Sequence, residues 1–429
     1  MTDAPGQRPG HGGPGHGGPG HGGPGHGGPG GVGPGRVGPD PIDPGHGGPG
    51  HGGPGHGGPG LVGPAPVGPG PLAVPDLATA DLADRILGGW TGRIAGNMLG
   101  KPVERGDHWT RERIDAYLRL TGALPLTDYL PPPPDGAEGF ALRPEWPLCV
   151  RGGIRESCRD DDVDYTLLGL HLLETYGFGF TTEQVGELWL LRLPYLQTYT
   201  AERAAYRNLA NGLRPPLTAT YDNPYQEWIG ALIRADVYGW TSPGDPRRAA
   251  GLARRDAVVS HTGNGVYGAM WAAALVAAAF TAPDARSALV TALEVVPPGS
   301  RLARTVRETI ALYEAGLGWS DALDELAVRT AGLHWIHVVP NAAVLTAGLL
   351  YGEGDFTRTI ALTVRGGLDT DSNGATAGSV AGVLCGAAAI PPQWSRPLRD
   401  RVRSAVYGFD GAGIRDLAER TLRLATLPP

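Results

Sequence analysis

The sequence predicts an all-α fold, one large multi-helix domain behind a low-complexity N-terminal tail. Three observations carry this. From residue 160 onward, apolar residues recur at helical spacing in segment after segment. Short runs with strand-like alternation are scarce. Gly (70) and Pro (41) are far in excess over 429 residues, and most of that excess lies before residue 75. The remainder of the chain, about 350 residues, has an ordinary globular composition and is near the upper end for a single core.

Residues 1–75 repeat the pentad HGGPG, from His11 to Gly30 and again from His46 to Gly60. Almost no apolar side chain is available for burial, glycine raises the entropy lost on folding, and proline removes backbone donors. A disordered tail is expected. The period of five excludes collagen, which needs glycine at every third position. Seven of the 12 histidines lie here. Their spacing suits either a solvated linker or a loose transition-metal trap.

The folded domain is expected over 77–429, starting near Leu77. "DLADRILGGWTGRIAGNMLGKPVE" (Asp81 to Glu104) places Leu82, Ile86, Leu87, Trp90 and Ile94 on one helical face. Gly88, Gly89, Gly92 and Gly96 are costly in an exposed helix. They make sense where another backbone or a ligand comes very close. Residues 105–150, with "YLPPPPDGAEG", read as a long loop, a length of irregular chain that is usually functional or mobile. "DDDVDYTLLGLHLLETYG" opens with acids and stops at Gly177; "TTEQVGELWLLRL" opens with a capping box. Further helices fit 198–211, 225–239, 246–256, 264–281, 284–294, 300–315, 320–330, 340–351, 356–365 and 374–388.

Composition excludes several functions. The net charge of −7 gives no surface for a nucleic-acid polyanion. Cys149, Cys158 and Cys385 form neither a disulfide framework nor a zinc pattern, which favours a reducing compartment. No basic n-region precedes an apolar core, and no apolar run reaches 18 residues. Tyr267 to Phe280 is apolar but short, a buried helix rather than a membrane span. A cytoplasmic protein, monomeric and away from membranes, is expected. Lys101 is the only lysine, as the codon usage of a GC-rich genome would leave it.

The chemistry lies in two acidic runs. "RGGLDTDSNGATAG" (Arg365 to Gly378) opens like a calcium loop. At the twelfth position counted from Asp369, where an EF-hand needs a bidentate Glu, stands Val380, so that reading fails. This leaves Asp369, Asp371 and Ser372 ahead of a helix of small residues. "RDDDVDY" sets Asp160, Asp161 and Asp162 at the start of another helix. Adjacent carboxylates repel unless cations neutralise them. If the two packed helices bring their N-termini together, about five carboxylates and a hydroxyl converge. An all-oxygen donor set suits Mg²⁺ or Mn²⁺, and that many ligands suits two ions.

At these residues the chain resembles the ADP-ribosylglycohydrolases. The matching motifs are "GNMLGKPVE" (Gly96 to Glu104), "DDDV" (Asp160 to Val163), "SHTGNGVYGAMWAAALVAAA" (Ser260 to Ala279), "VVPNAAVLTAGLLYGEGDF" (Val338 to Phe356) and "GGLDTDSNGATAG" (Gly366 to Gly378). Their order and spacing agree with the family over roughly residues 80–390. The resemblance implies an orthogonal bundle of that family's type and a binuclear Mg²⁺ centre. It implies cleavage of an N- or O-glycosidic bond between ADP-ribose and an acceptor, through an oxocarbenium-like state. Metal binding then falls to Asp160, Asp161, Asp162, Asp369, Asp371 and Ser372. Glu104, Asp161 and Asp371 are the candidate catalytic residues, with Glu104 as general acid/base. His261, Gly263, Asn264, Gly366 and Gly367 are candidate substrate contacts, the glycines letting backbone N–H groups approach a pyrophosphate. Tight helix connections explain those turns equally, and His261 can cap a helix instead. Trp109 and Tyr267 are either base-stacking partners or core.

The chain departs from the family pattern at defined places. Asp160 and Val163 stand where threonines are expected, Ser372 replaces a threonine, Asn97 replaces an aspartate, and Leu368 is inserted before Asp369. These departures leave open a non-catalytic relative that binds Mg²⁺ and ADP-ribose, or a structural one.

Overall fold

Every regular element between residues 78 and 427, the range the computed structural model describes, is helical. These residues all belong to one compact unit. The HGGPG repeats and Leu77 lie outside the described range. In chain order the helices are α1 (Thr79–Gly100), α2 (Arg111–Leu120), α3 (Asp161–Tyr176), α4 (Thr182–Arg192), α5 (Thr200–Ala210) and α6 (Leu217–Thr220). Then come α7 (Asp236–Trp240), α8 (Pro246–Ala257), α9 (Gly263–Ala279), α10 (Ala285–Ala292), α11 (Arg301–Glu314) and α12 (Trp319–Arg329). The last are α13 (Val338–Tyr351), α14 (Phe356–Arg365), α15 (Thr370–Cys385), α16 (Pro392–Ser395) and α17 (Ile414–Ala425). Among the described residues, β-structure is limited to two isolated bridges, Trp228 with His337 and Val402 with Ala412.

Helix α13, nearly all of α15 and the second halves of α1 and α9 are buried on every side. Their composition explains this: Ala, Gly, Val and Leu all round leave no face that gains from water. Helices with one apolar stripe, such as α8, α11, α14 and α17, cover them. No described helix is long and apolar enough to cross a membrane.

The glycines of α1 find their reason in α15. Gly88 faces Gly382, Gly92 faces Gly378, Gly96 faces Gly374, and Gly100 faces Thr370. The pairing runs in opposite directions along the two chains, so the helices are antiparallel. A Cβ at any of the four α1 positions would fall inside the facing carbonyl. Backbone therefore lies directly on backbone, as Cα–H···O contacts between helices require. Gly89 belongs to a different contact, against the indole of Trp240.

Three sequence expectations need correction. A continuous helix over 225–239 does not form; a 3-10 turn (Ile229–Ala231) and the short α7 replace it. There the buried Arg234 needs its partners Glu202 and Asp256 from other elements, which overrides local propensity. Helix α2 stands inside the segment read as loop, started by the Thr110 cap on the Arg113 N–H. Helix α15 begins at Thr370 rather than 374, which puts Asp371 and Ser372 in its first turn. The capping box at Thr181 and Gln184 and the stop at Gly177 are present.

Gly96→Ala is expected to cost at least ~2 kcal/mol through overpacking against a backbone that cannot yield. Thermal denaturation monitored by helical circular dichroism checks this. Gly299→Ala, where added volume meets open space, is expected to leave the midpoint in place.

Candidate metal centre

Because α1 and α15 are antiparallel and in register, the end of one meets the start of the other. The Thr370 hydroxyl donates to the Gly100 carbonyl at 2.9 Å, closing the joint. Residues just past α1, namely Lys101 and Glu104, thus face residues at the start of α15, namely Asp369 and Asp371. The N-terminus of α3 meets the same place: Ser372 Oγ donates to Asp162 Oδ2 at 3.3 Å. Three helix ends supply the site, and two of them are N-termini, whose dipoles favour carboxylates.

Two carboxylate triads result. Glu104, Asp369 and Asp371 each offer an oxygen within 4.8 Å of the others, and so do Asp160, Asp162 and Asp371. Asp371 is common to both. Asp160, Asp162, Asp369 and Asp371 are buried; Glu104 is half-buried at the rim. Asp161 is half-buried beside them but joins neither triad. Asp162 Oδ1 and Asp371 Oδ1 are buried without a hydrogen-bond partner among the described residues; the Arg93 guanidinium stands 3.7 Å from Asp162 Oδ1, and Asp371 Oδ1 has no such cation among those residues. A buried, unsatisfied carboxylate oxygen is expensive unless a cation meets it. The donor set is oxygen only, which fits Mg²⁺ or Mn²⁺ and disfavours soft or imidazole-seeking ions.

The charges press on one another. Burial, and then Asp371, pushes the Glu104 carboxyl up to about 8. Burial and Glu104 push Asp369 up to about 7. Burial and Asp160 push Asp161 up to about 8. Burial also raises Asp162 and Asp371. Asp160 goes the other way. Burial opposes its ionisation, but the Lys101 ammonium and the Asp162 N–H, 2.9 Å from Asp160 Oδ1, hold it well below the usual carboxylate range.

Several supports escaped the sequence reading. Arg93, wholly buried inside α1, bonds Asp236 Oδ2 at 2.6 Å and the Asp162 carbonyl at 2.7 Å, which fixes the start of α3. Asn341 on α13 fixes the start of α15. Its Oδ1 accepts from the Asp369 N–H at 3.1 Å and from Asn373 Nδ2 at 2.7 Å. Its Nδ2 donates to the carbonyls of Trp335 and His337. An asparagine in the first turn of an apolar helix is the signal that could have pointed there. Arg143 returns the 105–150 segment to the site: its N–H donates to the Pro102 carbonyl, and its Nε lies 3.7 Å from Glu104 Oε2. Leu368 and Gly367 both take left-handed backbone, at φ 62° and 75°. For leucine that conformation costs about 1–3 kcal/mol, which the Asn341 bond to Asp369 helps hold.

The remaining candidates lie elsewhere. His261 is buried, with Nδ1 2.8 Å from Ser260 Oγ, beside the Arg234–Glu202–Asp256 network. Burial and then Arg234 keep it neutral. Asn264 gives its backbone N–H and Nδ2 to Glu227 Oε1 at 2.7 and 3.1 Å, and Gly263, at φ 46°, leaves room for that carboxylate. Gly366 packs on Val344, and Gly367 approaches the backbone of Trp109–Arg111. Among the described residues none of these five is hydrogen-bonded to a triad carboxylate. Trp109 is buried core, its Nε1 donating to the Ala141 carbonyl, and so has no face for a base. Asn97 is fully buried with neither side-chain atom hydrogen-bonded among the described residues. Cys149 and Cys158 are buried free thiols with sulfurs 2.9 Å apart.

An all-α fold with carboxylates gathered between helix ends is a scaffold that could hold a metal ion. Residues 78–428 match the family model of the ADP-ribosylglycohydrolases, and the chain belongs to that family. One solved structure, named an ADP-ribosylglycohydrolase-related protein complex, is similar at 20% identity with a TM-score of 0.48, over 81% of this chain and 98% of its own. No curated protein matches.

Glu104 and Asp369 titrate above their unfolded values near 4, so the folded, metal-free protein holds protons that the unfolded chain has lost. Stability of the metal-free protein is therefore expected to fall as pH rises from about 4 through about 8. A divalent ion replaces those protons and binds more tightly as they leave. The Mg²⁺-induced rise in melting temperature is expected to grow between about pH 6 and about pH 8.5. A gain that stays level or shrinks over that range contradicts this.

Proposed function

We propose that this protein hydrolyses the glycosidic bond joining ADP-ribose to an acceptor, on an ADP-ribosylated protein or small molecule, with Mg²⁺ or Mn²⁺ as cofactor. The observation that carries the reading is the pair of carboxylate triads sharing Asp371, whose buried, unpartnered Oδ1 needs a cation. Glu104, Asp369 and Asp371 would hold one ion, and Asp160 and Asp162 border the second position. When bound, such an ion draws charge from sugar hydroxyls and acidifies water.

The chain's own groups supply the rest. Glu104 stands at the rim and offers one carboxylate oxygen to its triad, which leaves the other free to accept a proton from the attacking water as general base. Arg143 keeps that carboxyl oriented from 3.7 Å away. Asp161, half-buried and in neither triad, is free to accept a hydrogen bond from a ribose hydroxyl. An aromatic ledge lies nearby: Trp228 and His334 stack with centroids 4.4 Å apart and planes 9° apart. The neighbouring Trp335 reaches Gly106, two residues past Glu104. Such a ledge suits a purine face.

A second reading, a relative that binds ADP-ribose without turning it over, is favoured by Asn97, buried where the family pattern has an acid, and by Asp160, whose carboxylate is already engaged by Lys101. One experiment separates them. The full chain with Mg²⁺ is offered arginine-, serine- and nucleic-acid-linked ADP-ribose, and released ADP-ribose is measured. Release from at least one is expected, and Asp371→Ala is expected to lower kcat/KM at least ~100-fold. Binding of ADP-ribose with no release from any of them establishes the second reading instead.

A further inference from the structure

Of the 36 basic residues besides histidine, 35 are arginine, and the one lysine is buried in the metal centre. Lys101 comes directly after α1. Gly100 lies against the Thr370 backbone, so the next residue starts beside Asp371, and its side chain runs among the carboxylates. Its ammonium pairs with Asp160 Oδ2, and both side chains are almost wholly buried. The charges of Glu104 and Asp371 also act on it. The surrounding arginines are committed elsewhere. Arg93 serves Asp236 and the Asp162 backbone and stands 3.7 Å from Asp162 Oδ1, Arg159 serves Asp164 at 2.7 Å, and Arg143 serves the rim at Glu104. Among the described residues Lys101 is the one side-chain cation that bonds Asp160 directly, and Arg159 acts on it from farther off.

We propose that the Lys101 ammonium takes the place of one of the two cations for which the triads have room. The protein then carries a single exchangeable divalent ion, on Glu104, Asp369 and Asp371. The Asp160, Asp162 and Asp371 triad is filled by the chain's own cation. Two features support this over a plain local ion pair. The ammonium binds the very oxygen that Asp160 would offer a metal, since the other oxygen caps α3 by accepting the Asp162 N–H. An ion at that triad would also stand within a few ångströms of a fixed positive charge in a buried site, where repulsion is poorly screened. The compact, three-donor head of lysine fits such a place, and the broad guanidinium fork that serves the chain everywhere else does not. The inference rests on the metal-dependent function proposed for this centre and concerns ion number, a separate quantity.

The test is Mn²⁺ stoichiometry and electron paramagnetic resonance on the full chain. Ions held outside the centre, including by the histidine-bearing N-terminal region, are counted with Asp371→Ala and subtracted. Wild type is expected to hold one Mn²⁺ per chain with an uncoupled spectrum. Lys101→Met, similar in length but uncharged, is expected to hold two with an exchange-coupled spectrum. Two coupled ions in the wild type overturn the proposal, as does a folded Lys101→Met that still holds one. If Lys101→Met does not fold, the wild-type count alone decides. No ion above the Asp371→Ala background overturns the metal reading itself along with this inference.

Discussion

Backbone lies on backbone where α1 meets α15, at four successive turns with no side chain between. The register of that contact sets everything at the site. It brings the end of α1 level with the start of α15, so Lys101 and Glu104 face Asp369 and Asp371 without a connecting loop between them. A slip of one turn would move Asp371 by about 5.4 Å along the axis and dissolve both triads. The glycines are thus as much part of the site as its carboxylates.

Such close packing also carries an electrostatic consequence. Asp160, Asp162, Asp369 and Asp371 are almost wholly withdrawn from water, and Glu104 and Asp161 border them. Repulsion and desolvation raise all of these carboxyls except Asp160. The dipoles at the starts of α3 and α15 offset part of this, Arg93 steadies α3, and Lys101 neutralises Asp160. The metal-free centre stays short of positive charge. The proposed affinity for a hard cation and the expected pH dependence both rest on that shortage, held in a rigid frame.

Rigidity comes from residues that touch no substrate in the proposed reaction. Asn341 ties the start of α15 to α13 and to the Trp335 carbonyl, so the metal centre and the aromatic ledge share one support. Arg143 and the Pro102 carbonyl tie the irregular 105–150 segment to the rim, where an acceptor group would arrive. Variation in that segment can change which acceptor is taken while leaving the centre itself untouched.

The sequence by itself determined the helical class, because periodicity is a local property of the chain. It marked the α1 glycines as a place of close approach, and it singled out the two aspartate runs. Its helix starts were right where a cap is local, as at Thr181, and four residues late at α15, where the start is held by Asn341 from another helix. Tertiary structure decided which carboxylates converge. It set Asp161 outside both triads, although its neighbours Asp160 and Asp162 are inside one, because a helical turn points adjacent residues in different directions. It placed His261, Gly263 and Asn264 on partners of their own. It also gave Lys101 a place that codon usage alone would not suggest. Spacing along the chain records which groups are available, and only packing records which of them share one buried volume and must balance their charge there.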